Sequence, residues 1–113
     1  MSDSPRLNRA TFLNMTQYRL LEDWAMTFDV AGNEVLYLVG SALTDPAWRD
    51  VDVRLILDDA EYGALDDAVS IRRLNFLVSM WAESVTRLPV DFQVQSSSDS
   101  RAFDGRRHPL AMS

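Results

Sequence analysis

The sequence contains no cysteine. That excludes disulfides, thiol nucleophiles and zinc–thiolate centres together. Chemistry is left to carboxylates, hydroxyls, arginines and the lone His108. Lysine is absent as well, and all eleven basic residues are arginine. A GC-rich coding sequence is the simple source of that bias, and bidentate recognition of phosphate is the other. No apolar run approaches the ~20 residues a membrane span requires, the longest being Val35–Val39 and its flanks. The opening MSDSPRLNR has no apolar stretch of the kind a secretory leader carries, so a cytoplasmic protein without membrane contact is expected.

What is present is an ordinary globular mixture, 47% hydrophobic and 25% charged in 113 residues, which suits one compact domain. The net charge of −6 disfavours nonspecific binding to DNA, because phosphate neutralisation needs a basic surplus. Charge is uneven along the chain. Residues 1–94 carry eight Arg against fifteen Asp and Glu, whereas residues 95–113 carry three Arg against two Asp. The expected organisation is therefore a domain over residues 1–95 and a basic, irregular tail over 96–113.

Apolar residues at Phe12, Leu13, Leu20, Leu21, Trp24 and Phe28 recur at helical steps and predict an amphipathic helix from Asn8 to Phe28. A turn follows over Asp29–Asn33, and Glu34–Val39 reads as a buried strand ending at Gly40-Ser41. Asp45-Pro46 marks a loop, and Val51–Leu57 alternates as a second strand. From Ala60 to Leu88 the spacing of Leu74, Leu77, Val78, Trp81 and Val85 predicts one long helix, or two broken near Gly63 or Ser70, stopped by Pro89. Val90–Gln95 alternates as a third strand. This order predicts an α/β (α+β) fold, a small mixed β-sheet packed with helices.

The chemistry concentrates on the strands. Asp50 and Asp52 are two apart and project from one strand face, roughly 6.5 Å apart along it. Asp91 lies between the core-type residues Val90 and Phe92. Three aspartates on neighbouring strands repel unless a cation neutralises them, and oxygen-only ligands suit Mg²⁺. Upstream, Gly40-Ser41 follows a buried strand, where a glycine lets backbone N–H groups approach a phosphate.

The series runs apolar strand, Gly40-Ser41, eight intervening residues, Asp50-Val51-Asp52-Val53, then Val90-Asp91-Phe92. It resembles the nucleotidyltransferase superfamily related to DNA polymerase beta, and in size the minimal nucleotidyltransferases of prokaryotes or phages. That resemblance implies two Mg²⁺ ions, a nucleoside triphosphate such as ATP as donor, and transfer of a nucleoside monophosphate to an acceptor hydroxyl on a protein, RNA (tRNA included) or small molecule. It assigns Gly40 and Ser41 to the triphosphate, Asp50 and Asp52 to metal, and Asp91 to metal and acceptor activation. The sequence departs from the pattern where a basic residue often follows Gly-Ser, since Ala42-Leu43-Thr44 stands there. Arg49 is a candidate compensating phosphate contact. Arg54, on the strand face of Asp50 and Asp52, either reaches a phosphate or pairs with an aspartate and weakens metal binding.

Other features read more simply. Asp58, Asp59, Glu61, Asp66 and Asp67 form a solvated helix face complementing a helix N-terminus. Trp24, Trp81 and Phe76 read as core. No catalytic role falls to His108. In the tail, Phe103 and Leu110 are expected to anchor the segment on the body. Arg101, Arg106 and Arg107 are solubilising charge, triphosphate contacts over the acidic cleft, or a docking surface for a protein partner. The alternative to an enzyme is a catalytically degenerate interaction protein that binds a helical partner, such as the HEPN proteins that accompany some minimal nucleotidyltransferases, or a second copy of itself as a homo-oligomer.

Overall fold

The computed structural model describes residues 11–32, 35–101 and 106–111, without the side chains of 29–32, 100 and 101. Its first helix, α1 (Met15–Gly32), starts later than the apolar spacing predicts. Asn14 is the reason. Its Oδ1 accepts from Gln17 N at 2.8 Å while Gln17 Oε1 accepts from Asn14 N at 2.9 Å, a reciprocal cap that sets the start of a helix. Residues 8–10 lie outside the described residues, and 11–14 are not helical. The helix continues through most of the expected turn, to Gly32.

Strand β1 (Leu36–Val39) leads into Gly40 and a single helical turn, α2 (Ser41–Thr44), where loop was expected. Strand β2 (Val51–Leu57) has the predicted bounds. The long helical segment is two helices, α3 (Asp59–Ala68) and α4 (Ile71–Thr86). Ser70 is the break, its Oγ accepting from Arg73 N at the start of α4. Asp58 caps α3 by accepting from Glu61 N at 2.7 Å, with Asp59 and Glu61 in the first turn, as the acidic run suggested. Arg87 ends α4 in the left-handed region at φ 62°, and β3 (Val90–Ser96) follows Pro89.

The tail departs from expectation. After α5 (Ser97–Arg101), residues His108–Leu110 form β4, paired antiparallel to β1 with Leu110 opposite Leu36. Leu110 is 2% exposed, so it is the anchor expected of it, whereas Phe103 lies outside the described residues. The segment therefore completes the sheet, and the division at residue 95 does not separate a folded body from an irregular end.

The result is a mixed α/β fold. Four strands run in the order β3-β2-β1-β4, with β2 antiparallel to β1 and parallel to β3. Alternation sorts the faces: Val51, Val53, Leu55 and Leu57 of β2 and Val90, Phe92 and Val94 of β3 are buried, while the intervening residues are half-buried. An aromatic cluster joins α1 and α4 to the buried face, with Trp24 5.5 Å from Trp81 and 6.4 Å from Phe92 between ring centroids. Edge-to-face rings of this kind add to the area they bury.

Strand β3 is an edge strand, yet its backbone is not left to solvent. Ser79 Oγ accepts from Phe92 N at 2.9 Å and Asn75 Oδ1 accepts from Val94 N at 3.0 Å, both from α4. Helix α4 leaves part of its apolar surface uncovered: Phe76 is 65% exposed, Leu77 61% and Val85 47%. Of the three aromatics read as core, Trp24 is buried, Trp81 is partly covered by Trp24 and Phe28, and Phe76 points to solvent.

Candidate functional site

The parallel register places Asp52 directly opposite Asp91, on the half-buried sheet face. The antiparallel register places Val39 opposite Asp52, so the chain leaves β1 beside the same carboxylate. Gly40 makes this approach possible. Its φ of 77° and ψ of −152° belong to a region essentially closed to other residues. A Cβ there would collide with Asp52 Oδ2 and lie 3.1 Å from its Cγ. Ser41, half-buried, begins α2.

Arg54 stands between the two acids. Its Nη2 is 3.9 Å from Asp52 Oδ1 and 3.8 Å from Asp91 Oδ2. Its Nη1 donates to Val53 O at 3.0 Å and to Asp91 O at 2.9 Å, which fixes the guanidinium over the β2–β3 ladder. Burial holds the Asp52 carboxyl above its ordinary pKa, Arg54 opposes the rise, and the neighbouring carboxylates of Asp91 and Asp50 add to it. Asp91 is the more open group, its side chain 46% exposed against 21% for Asp52.

Asp50 sits just before β2, exposed, and lines a groove of about 610 Å³ with Asp91, Asn75, Phe76 and Ser79. A smaller pocket of about 110 Å³ is lined by Val39, Gly40, Asp52, Arg54 and Gln95. The three acids are thus neighbours in field, but they face two pockets. Arg49 is exposed in the loop before Asp50. Arg106 donates to Leu43 O at 3.4 Å, within the turn after Gly40, and Arg107 lies 5.8 Å over the Tyr37 ring.

The resemblance implies magnesium at these carboxylates. Among the described residues no group of three His, Cys, Asp or Glu is placed to hold one ion. The donor chemistry of Asp52 and Asp91 nonetheless fits, because Mg²⁺ commonly takes one or two carboxylates and completes its shell with water and substrate phosphates. Arg54 is the cation those two acids share within the chain.

Sequence reasoning missed Gln93 and Gln95, which line the two pockets. The signal was available, since both follow Asp91 at the two-residue period of a strand. It also missed Tyr18, whose hydroxyl lies 2.7 Å from His108 Nε2, a contact 90 residues apart in sequence and invisible in it. Burial, with Glu22 beside it, pushes the Tyr18 pKa up to about 12. Burial holds His108 below its ordinary value, Glu22 opposes that shift and Arg106 adds to it. No protein-family model matches the chain, and no curated protein matches it in sequence. Among the described residues no helix is long and apolar enough to cross a membrane.

Proposed function

We propose that this chain is a minimal, Mg²⁺-dependent nucleotidyltransferase of the polymerase-beta kind, moving a nucleoside monophosphate from a nucleoside triphosphate to an acceptor hydroxyl. The observation that carries the reading is the register that sets Asp52 against Asp91 with Gly40 packed on Asp52. Asp52 and Asp91 would hold the metal, with Asp50 adding negative charge beside them. When bound, magnesium supplies neutralisation of phosphate charge and alignment of the transferred group.

The residues divide the remaining work. The backbone of Gly40-Ser41 lies where a phosphate can approach closely, and Arg106 reaches the same turn and supplies the positive charge that Ala42-Leu43-Thr44 lacks. Asp91, the more exposed acid, accepts the acceptor's proton as its oxygen attacks the α-phosphorus. The new oxygen–phosphorus bond forms as the bond between the α-phosphorus and the bridging oxygen breaks, and diphosphate leaves. The groove containing Asp50, Asp91 and Phe76 is of the size that accommodates a small-molecule or nucleotide moiety.

Arg54 favours a second reading. A guanidinium shared by both acids does the neutralising that a metal would do, and a site so satisfied binds without transferring. The experiment is incubation with each labelled nucleoside triphosphate, Mg²⁺ and a cell lysate, scored for label on protein and on RNA, beside calorimetric titration with nucleotide. Transfer lost in Asp52→Asn and Asp91→Asn supports the enzyme. Nucleotide binding without transfer supports the second reading, and neither binding nor transfer overturns both.

A further inference from the structure

Helix α4 carries a large apolar surface on its outer side. Phe76 is 65% exposed, Leu77 61% and Met80 55%, with Trp81 at 38% and Val85 at 47% on its shoulder. Five large side chains about half exposed, at roughly 200 Å² each, present on the order of 500 Å² of contiguous apolar surface, as much as the largest patches of ordinary monomers. Phe76 and Met80 stand one turn apart, so they form a continuous ridge along the helix.

The charges beside that ridge are arranged for self-pairing. Arg72 and Arg73 lie at the N-terminal end of the helix and Glu83 toward its C-terminal end, and all three are exposed. Among the described residues no ion pair involves Arg73 or Glu83. If two copies of α4 cross antiparallel about a two-fold axis near Val78, Phe76 of each faces Met80 of the other, and Arg73 of each faces Glu83 of the other. A two-fold interface repeats every contact, so one complementary pair becomes two.

We propose that a second copy of this chain docks on the outer face of α4, forming an antiparallel homodimer with Phe76, Leu77 and Met80 at its centre and Arg73–Glu83 pairs at its ends. The apolar ridge together with its charged rim approaches the ~800 Å² per partner of a standard interface. The interface also borders the groove beside the acids, because Phe76 and Glu83 line that groove with Asp91. Arginines of the second copy would then stand at its wall, adding to the positive charge that Arg72 and Arg54 of the same chain already bring to that side. This pairing does not depend on any transfer reaction.

The test is sedimentation velocity across a wide concentration range, without nucleotide or metal, on the full chain. The wild type should be dimeric at tens of micromolar, and Met80→Glu should be monomeric with an unchanged circular-dichroism spectrum, since residue 80 is exposed. Arg73→Glu and Glu83→Arg should each weaken the dimer roughly tenfold at low salt, from two exposed pairs lost and replaced by repulsion. The double reversal should restore it. A wild type monomeric at every concentration overturns the proposal. So does a dimer that survives Met80→Glu, or single charge reversals without effect.

Discussion

Gly40→Ala tests whether the candidate site depends on the glycine between β1 and α2. At φ 77° and ψ −152° an alanine is strained by ~1–3 kcal/mol, the usual cost of a sparsely populated backbone conformation. The added Cβ also collides with Asp52 Oδ2, so the carboxylate must turn away from Gly40. Turning it away weakens an ion pair with Arg54 already as long as 3.9 Å, which at a half-buried site is worth about 0.5–1 kcal/mol. The sum, about 1.5–4 kcal/mol, is a large part of the ~5–15 kcal/mol that holds a small domain folded. Urea unfolding followed by tryptophan fluorescence reads the loss. A double-mutant cycle with Asp52→Ala then separates the causes, because removing the carboxylate removes the collision and leaves the backbone strain. In that background Gly40→Ala should cost ~1–3 kcal/mol. A loss under about 0.5 kcal/mol in the wild-type background, ordinary for an exposed surface change, would refute the close approach of Gly40 and Asp52.

Three other outcomes are expected. Asp52→Asn should raise the melting temperature at neutral pH without metal. The folded-state pKa of Asp52 lies above its unfolded value, so the charged form destabilises the fold and protonation relieves it. The advantage of the variant should therefore shrink as pH falls through the raised folded pKa and vanish below about 3.8, the unfolded value; a variant less stable than wild type at neutral pH would make Asp52 a structural partner of Arg54. Ser79→Ala should cost about 1–3 kcal/mol in chemical denaturation, because Phe92 N loses its acceptor at 2.9 Å, and an unchanged midpoint would contradict that bond. Leu110→Ala should cost ~2–4 kcal/mol, since the side chain, in β4 opposite Leu36, is 2% exposed, and melts indistinguishable from wild type would place that segment outside the core.

The strands were legible wherever two-residue alternation ran for a full strand. Val51–Leu57 was read with its true bounds and Val90–Gln95 missed one residue, because buried apolar residues alternate there with mostly polar ones. Strand β4 was illegible for the opposite reason. Three residues with a proline at the centre carry no periodicity, and only the pairing of Leu110 with Leu36 defines them. Helical spacing located α4, but reading Phe76 and Trp81 as core went too far, because positions three and four apart mark a stripe without saying which side faces the core. Val78 and Ala82 face inward, and Phe76, Leu77 and Met80 do not. In the site, strand phase put Arg54 on the face of Asp52 and allowed its pairing with an aspartate, whereas the register that sets Asp52 opposite Asp91 and the two backbone carbonyls that hold the guanidinium are carried by no pattern of side chains.

The bonds from Ser79 and Asn75 to β3 have a consequence for how this molecule can grow. An uncovered edge strand is a template on which another chain lengthens the sheet, the route to runaway assembly and to peptide capture by strand addition. Here α4 takes up the donors of Phe92 and Val94 on one margin, and Pro109 leaves the other margin without an N–H at the middle of its three-residue strand. Both margins are poor templates for strand addition. Recruitment to this chain is thereby steered from its strands to its helices, where specificity is set by side chains and not by the backbone that every protein shares.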